Sequence, residues 1–456
     1  PDEEEVCGDG ADNDCDGTPN ECRPEDNLVT GASLLTDGAG YTGTYASAAG
    51  DVDGDGLGDI LVSSVAYDGG GMIWLVTGGV QADITLETGA TLQIQGSTRG
   101  NSFSQGSVGD INIDGTVDLP IFSDDSDSDY LGSISFVSAS ERGARQLSEV
   151  AHTRISGAAP YDYAGEHFDW GDVTGDGVLD ILVGAPLHVD SEFYYSGAAY
   201  LIPGPLAGDH TVAEATITFS GPDGQDQEVG RQTALRDLNG DGHMDAMIGY
   251  SDPHENLNKE GALAIFYGPL TGDYSIFDAD DVLLGSDYFE KVGDSLHGTE
   301  DVDGDGLVDL WIGSEGELGT NNGASYFLRS PFRGGIIRDV ATATLTGEAA
   351  GDSFGGGMAL GDVDQDGTTD VWAGAPGQSQ AGEGSGKAYL FYGPFAGTRS
   401  GVDADAFHLG SGTDVNGGTG LAILGDVNAD GEVDLLFGEG NYNNKGRSVV
   451  IFGYSY

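Results

Sequence analysis

Seven copies of one acidic nine-residue loop, a period of about 60 residues and several short strand-like runs per period predict an all-β chain. The expected architecture is a seven-bladed β-propeller of four-stranded antiparallel blades, closed by an N-terminal strand. The loops begin at Asp51, Asp110, Asp172, Asp237, Asp301, Asp362 and Asp426, so successive starts lie 59, 62, 65, 64, 61 and 64 residues apart. No segment carries a helical period longer than two turns.

Each period has fixed landmarks. An aromatic-Gly step precedes the loop, as in Asp352-Ser353-Phe354-Gly355. An apolar run follows it and ends in Gly-Ala-Pro, as in Ile181-Leu182-Val183-Gly184-Ala185-Pro186 and Val371-Trp372-Ala373-Gly374-Ala375-Pro376. A Gly then opens an alternating run that ends in Gly-Pro, as in Gly386-Lys387-Ala388-Tyr389-Leu390-Phe391-Tyr392-Gly393-Pro394. A fourth run follows, for example Ala215-Thr216-Ile217-Thr218-Phe219-Ser220-Gly221. Four short strands separated by turn residues are the content of one blade. The last period stops at Val449-Val450-Ile451-Phe452, its third strand. Ala32-Ser33-Leu34-Leu35-Thr36-Asp37-Gly38 matches the fourth-strand run Ala343-Thr344-Leu345-Thr346-Gly347. An N-terminal strand that completes the final blade would remove a free edge.

Composition narrows the functional classes. Lys and Arg total 16 against 77 Asp and Glu, a formal net charge of -61, so no basic stripe exists to displace counterions from nucleic acid. Anionic membrane surfaces are disfavoured on the same ground. The 38% hydrophobic content, with 17 Phe and 19 Tyr, supports a packed core despite the acidity. No apolar run reaches 18 residues, so no membrane span is expected. The sequence opens at Pro1 without Met, and its numbering is expected to start after processing or trimming.

Residues 1–26 differ from the propeller region, 27–456. They hold all three cysteines, Cys7, Cys15 and Cys22, and too few apolar residues for a core. Cysteine-poor sequence beyond them, with acidic loops throughout, suits an oxidising, calcium-rich exterior. An odd count leaves one thiol free or paired outside the chain. Asp12, Asp14 and Asp16 before Gly17 repeat an alternate-oxygen pattern. The segment reads either as a metal site or as a flexible acidic leader tied by one disulfide. The metal reading is preferred, with Cys7–Cys15 favoured over Cys15–Cys22.

The loops carry the clearest chemistry. Positions 1, 3, 5 and 9 are Asp51, Asp53, Asp55 and Asp59; Asp110, Asn112, Asp114 and Asp118; and Asp172, Thr174, Asp176 and Asp180. They continue as Asp237, Asn239, Asp241 and Asp245; Asp301, Asp303, Asp305 and Asp309; Asp362, Asp364, Asp366 and Asp370; and Asp426, Asn428, Asp430 and Asp434. Hard oxygens at alternate positions are what Ca2+ requires, with a Gly at position 6 to turn the backbone. Position 6 is Gly56, Gly115, Gly177, Gly242, Gly306, Gly367 and Gly431. Position 7 varies (Leu57, Thr116, Val178, His243, Leu307, Thr368, Glu432), as expected where a backbone carbonyl alone contacts the ion. An EF-hand needs a bidentate Glu at position 12. Here Val62, Ile121, Val183, Ile248, Ile312, Ala373 and Phe437 stand there, so each loop belongs to a strand-loop-strand hairpin. Mg2+ suits these sites less, because it retains several waters. The expected complement is about seven Ca2+ ions in the propeller, with the N-terminal segment as a candidate for one more.

On these landmarks residues 27–456 resemble FG-GAP repeats, the propeller of integrin alpha subunits and of many bacterial surface proteins. Blade 2 departs from the pattern, with Ser123-Asp124-Asp125 in place of Gly-Ala-Pro, and blades 1, 4, 5 and 7 also degrade the tripeptide. The run Asp12-Asn13-Asp14-Cys15-Asp16-Gly17 resembles the metal-binding motif of MopE-type secreted bacterial proteins. The integrin resemblance implies calcium loops on one face and ligands on the opposite one. That second face would collect Tyr161, Tyr163, Phe193, Tyr194 and Tyr195 of blade 3, suited to glycan or protein contacts. Alternatively, these rings roof the core of their own blade.

No Gly-x-Ser-x-Gly elbow, P-loop or dinucleotide fingerprint stands out, and no His forms a His-Glu-x-x-His spacing. His167 and Asp169 in blade 3's first strand read as an acid–base pair facing the channel or, preferentially, as a structural pair. Asp124, Asp125, Asp127 and Asp129 read as a solvated acidic loop in preference to a cation site. The favoured function is a non-enzymatic, extracellular or surface-displayed, bacterial-type adhesion or interaction module with a protein or glycan partner. The alternatives are a self-assembling subunit of a surface layer or filament, and a propeller-scaffold hydrolase.

Overall fold

A buried strand with neighbours on both faces has no polar side, and this is how the apolar run after each acidic loop is used. In the computed structural model the runs form Asp59–Ser64, Asp118–Ser123, Asp180–Ala185, Asp245–Tyr250, Asp309–Ser314, Asp370–Ala375 and Asp434–Glu439, each buried along its whole length. The structure describes residues 32–36, 45–64, 70–96, 102–103, 108–125, 129–189, 194–222, 226–251, 260–285, 290–293, 295–314, 322–440 and 446–453. Cys7, Cys15, Cys22, Asp12, Asp14, Asp16 and Phe193 fall outside the described residues.

Among the described residues the strands form seven sheets, one per blade. Blade 3 shows the plan: Phe168–Gly171 lies innermost, followed outward by Asp180–Ala185, Ala198–Ile202 and Ile217–Ser220, all antiparallel. The acidic loop joins the innermost strand to the second, so the seven loops gather at one end of the blades. The segments after Gly-Ala-Pro and before the aromatic-Gly step gather at the other end.

The closing strand is where the sequence places it. Ala32–Thr36 pairs antiparallel with Arg447–Ile451, with Ala32 opposite Ile451 and Leu35 opposite Ser448. Blade 7 is thus Gly417–Gly425, Asp434–Glu439 and Arg447–Ile451, completed from the other end of the chain.

The blades are wider than four strands. A short run between the third and fourth strands of one blade pairs in parallel with the outer strand of the preceding blade. Gly143–Gln146 lies on Leu92–Gln95, and Gly397–Ser400 on Ala343–Thr346. Six sheets gain a fifth strand in this way, while blade 6 has four. Blade 7 draws its third and outer strands from distant parts of the sequence, so no such connection exists to lie on blade 6.

The landmark glycines are explained at the blade interfaces. Within a blade, the N–H of the aromatic-Gly glycine donates to the Gly-Ala-Pro glycine carbonyl, as in Gly355 to Gly374 at 3.1 Å, and Gly165, which follows Ala164 at the same place in blade 3, donates to Gly184 at 3.0 Å. The same carbonyl-bearing residue abuts the next blade. A Cβ on Gly184 would lie 2.1 Å from the Gly230 carbonyl oxygen, and one on Gly374 would lie 2.0 Å from that of Gly418. Blades 4 and 5, whose tripeptides are degraded, keep Gly249 and Gly313 for the same close approach to Gly293 and Gly355. Between these seams the core is aromatic, with Phe136, Phe168 and Trp170 meeting at centroid distances of 5.4–5.8 Å across blades 2 and 3.

Leu35 of the closing strand is fully buried among Ile60, Trp74, Leu436 and Val450. Truncation of one such side chain costs about 2–4 kcal/mol through lost burial and the cavity left behind. Leu35→Ala is therefore expected to lower unfolding stability by that amount in urea denaturation, and a loss below about 0.5 kcal/mol would contradict ring closure by this strand.

Candidate metal centres

Four oxygen-bearing side chains in a loop this short, three or four of them carboxylates, must be held apart or bridged, and the backbone does much of the holding. The position-1 carboxylate caps the turn. Asp51 Oδ1 accepts the N–H groups of Gly54 and Asp55 at 2.7 and 3.0 Å, and Oδ2 accepts that of Gly56 at 2.9 Å. Asp172, Asp237 and Asp426 repeat all three bonds. Position 5 accepts the position-7 N–H in all seven loops, at 2.7–2.9 Å. Position 3 accepts the position-5 N–H through Asn112, Asn239, Asp303, Asp364 and Asn428, so an amide oxygen keeps that role.

Glycine at position 6 answers to backbone conformation alone. Its φ lies between 84° and 90° in every loop, and a Cβ there would touch nothing. Position 4 is left-handed too, yet Ile113 occupies it in blade 2 with φ 60° and 57% exposure. A β-branched residue in this region is a strained outlier.

Position 9 is the buried corner of each site. Asp59 Oδ2 accepts the Val52 N–H and Oδ1 the Gly78 N–H, both at 2.8 Å. The second donor is the second residue beyond the third strand, and Gly204, Gly268, Ser330, Gly393 and Gly453 serve Asp180, Asp245, Asp309, Asp370 and Asp434. The Gly-Pro landmark therefore marks a backbone donor to the loop. Blade 2 substitutes a side chain, with His152 Nε2 2.8 Å from Asp118 Oδ1.

The donors converge. In the three loops with Asp at all four positions, carboxylate oxygens of positions 1, 3 and 9 lie within 4.8 Å of one another: Asp51, Asp53 and Asp59; Asp301, Asp303 and Asp309; Asp362, Asp364 and Asp370. Burial first, and the neighbouring loop carboxylates after it, push five of the position-9 groups upward against their backbone hydrogen bonds. Asp59, Asp245 and Asp309 rise above the ordinary carboxylate value, while Asp370 and Asp434 reach about 6. Hard, convergent oxygens with unrelieved negative charge fit a divalent cation.

Other candidate residues resolve differently. Asp169 reaches across to blade 4, accepts the Leu235 N–H at 2.9 Å and pairs with Arg236. Burial lowers His167 to about 4, so it is neutral near pH 7. The acid–base reading thus gives way to an interblade brace. His243 is exposed, as its position predicts. Asp125 is buried and pairs with Arg154 at 2.7 Å, which corrects the expectation of a solvated acidic loop there.

On the opposite end, Tyr161, Tyr194 and Tyr195 are 48%, 41% and 43% exposed. Tyr163 is half-buried against Phe122, at 5.2 Å between centroids, and so roofs the core. Sequence reasoning missed Tyr130, 43% exposed and stacked on Tyr161 at 6.2 Å and 17°. The two loops are knit by backbone bonds from Tyr161 to Asp129 and from Tyr163 to Tyr130. Tyr130 and Tyr161 both hold left-handed backbone, φ 57° and 69°.

These features define a β-propeller with seven equivalent acidic hairpin loops. A family model described as FG-GAP repeat matches residues 164–202 and 354–391. The chain is 31% identical over 172 residues to integrin alpha-PS2 of Drosophila melanogaster, covering 35% of this chain and 12% of that protein. Human integrin alpha-11 is 33% identical over 171 residues, covering 36% and 14%. Human phosphatidylinositol-glycan-specific phospholipase D is 31% identical over 156 residues, covering 33% and 18%. The matched stretch is thus under one fifth of the length of each of these three relatives. The chain carries FG-GAP repeats in an integrin-alpha-like propeller.

A raised folded-state pKa means that Asp370 and Asp434 stabilise the fold when protonated. That contribution is complete below the unfolded value of 3.8 and is lost as pH rises through about 6. With divalent cations chelated, the thermal midpoint is expected to rise as pH falls from about 7.5 to about 5. A flat or falling midpoint over that interval would show that these groups are not held in their raised state.

Proposed function

We propose that this chain is a calcium-stabilised propeller, displayed outside the cell, that acts as an adhesion or interaction module. The observation that carries the metal assignment is the convergence of positions 1, 3 and 9 in the three all-aspartate loops, within a sequence pattern repeated seven times. Positions 1, 3, 5 and 9 supply side-chain oxygens and position 7 a backbone carbonyl. Bound Ca2+ would neutralise carboxylates that burial and mutual repulsion now penalise. Residues 1–26 form a separate metal-binding segment in this reading, through Asp12, Asp14 and Asp16.

The loops then rigidify one face and leave the other for a protein or glycan ligand. Four of the eight exposed large hydrophobic residues among those described are Tyr130, Tyr161, Tyr194 and Tyr195, all on the segments opposite the loops in blades 2 and 3. Aromatic rings with a polar tip give contact area at low entropic cost. The integrin relatives support an adhesive role, and the phospholipase D relative supplies a second reading, a hydrolase scaffold. Asp169 acts as an interblade brace and His167 is buried and neutral, which favours the first.

Extracellular modules bind calcium at about 10⁻⁴–10⁻³ M. Excess EDTA is expected to lower the melting temperature sharply, by loss of ligand linkage. Native mass spectrometry with and without calcium should show about seven propeller ions and report any homo-assembly. An unchanged melting temperature after confirmed metal removal would falsify the structural role of calcium. On glycan and protein arrays, Tyr161→Ala and Tyr194→Ala/Tyr195→Ala should weaken whichever interaction the parent shows by about tenfold or more. Full retention of binding would move the ligand site elsewhere.

A further inference from the structure

The residue opposite position 9 on the third strand differs in character in one blade. By strand register this residue is Thr77, Ser138, Pro203, Tyr267, Tyr392 and Phe452 in six blades, and Arg329 in blade 5. Arg329 does not point into solvent alone. Its Nε meets Asp303 Oδ2, and its guanidinium NH2 group lies 3.8 Å from Asp305 Oδ2. Those are positions 3 and 5 of the blade 5 loop, and Asp303 belongs to the cluster converging with Asp301 and Asp309. Side-chain exposure of 52% leaves Arg329 room to withdraw.

We propose that Arg329 is a tethered counter-ion that competes with a divalent cation for the blade 5 loop, making it the weakest of the three all-aspartate sites. This rests on the calcium reading above. Sequence alone ranks the loops beginning at Asp51, Asp301 and Asp362 as equals, since each offers four carboxylates. In blade 5 an incoming ion must displace a guanidinium from Asp303 or bind beside a fixed positive charge. Either path lowers affinity, by about tenfold for one unit charge a few ångströms from a partly solvated divalent ion. The device is absent from the equivalent positions of blades 1 and 6, which carry Thr77 and Tyr392.

Native mass spectrometry through a calcium titration of the full chain tests this. Arg329→Tyr installs the residue that blades 4 and 6 use, and Arg329→Gln removes charge while keeping a polar side chain. Both should move one binding step to about tenfold lower calcium. Arg329→Lys, which keeps the charge, should leave that step within about twofold of the parent. Asp303→Ala added to Arg329→Tyr should abolish the shifted step and so assign it to blade 5. Titrations of folded Arg329→Tyr and Arg329→Gln that superimpose on the parent would overturn the proposal while leaving the calcium reading intact. A parent chain that retains no calcium would overturn both.

Discussion

A buried carboxylate at the first residue of each second strand ties the molecule together. It accepts at least one N–H from its own acidic loop and, in six blades, another from the second residue beyond the third strand. The loop, the inner hairpin and the turn toward the next strand are therefore fixed by one side chain. Removing a buried carboxylate leaves two donors unmet, and a charge held in that position costs desolvation energy unless opposite charge is near. Fold and cation chemistry meet at this atom pair. A residue that looks like one ligand among four is also the joint of the blade.

The repeat made the architecture legible. Seven loops in register set the blade count, and Ala32–Thr36 could be assigned to the last blade because its pattern copied a fourth strand. The fifth strands escaped notice for a physical reason. Runs such as Ile84–Thr85 and Tyr274–Ser275 are two residues long, too short to show any period, and their pairing is set by the neighbouring blade. Gly-Ala-Pro seemed degraded in several blades, yet the structure needs the glycine more than the tripeptide, because the next blade's carbonyl presses on its Cα.

The site was legible in its ligands and less so in its surroundings. Alternating oxygens could be read directly, whereas Tyr130 and Arg329 could not. Tyr130 gains its exposure from a left-handed backbone that sequence does not announce, and it stacks on a residue from another loop. Arg329 carries no local motif, and only strand register sets it across from Asp309. His167 and Asp169 show the converse. Their spacing suggested chemistry, but Asp169 spends its carboxylate on Leu235 and Arg236 of the next blade.

The seam that shuts the ring also has a mechanical meaning. Ala32 lies opposite Ile451, so the chain enters and leaves blade 7 at the same end of one antiparallel strand pair. Tension applied at those two points loads the ladder bonds one after another, as in opening a zipper, instead of loading them together in shear. Under traction from both sides the propeller would part first between its closing strand and Arg447–Ile451, while the other six blades keep their internal sheets.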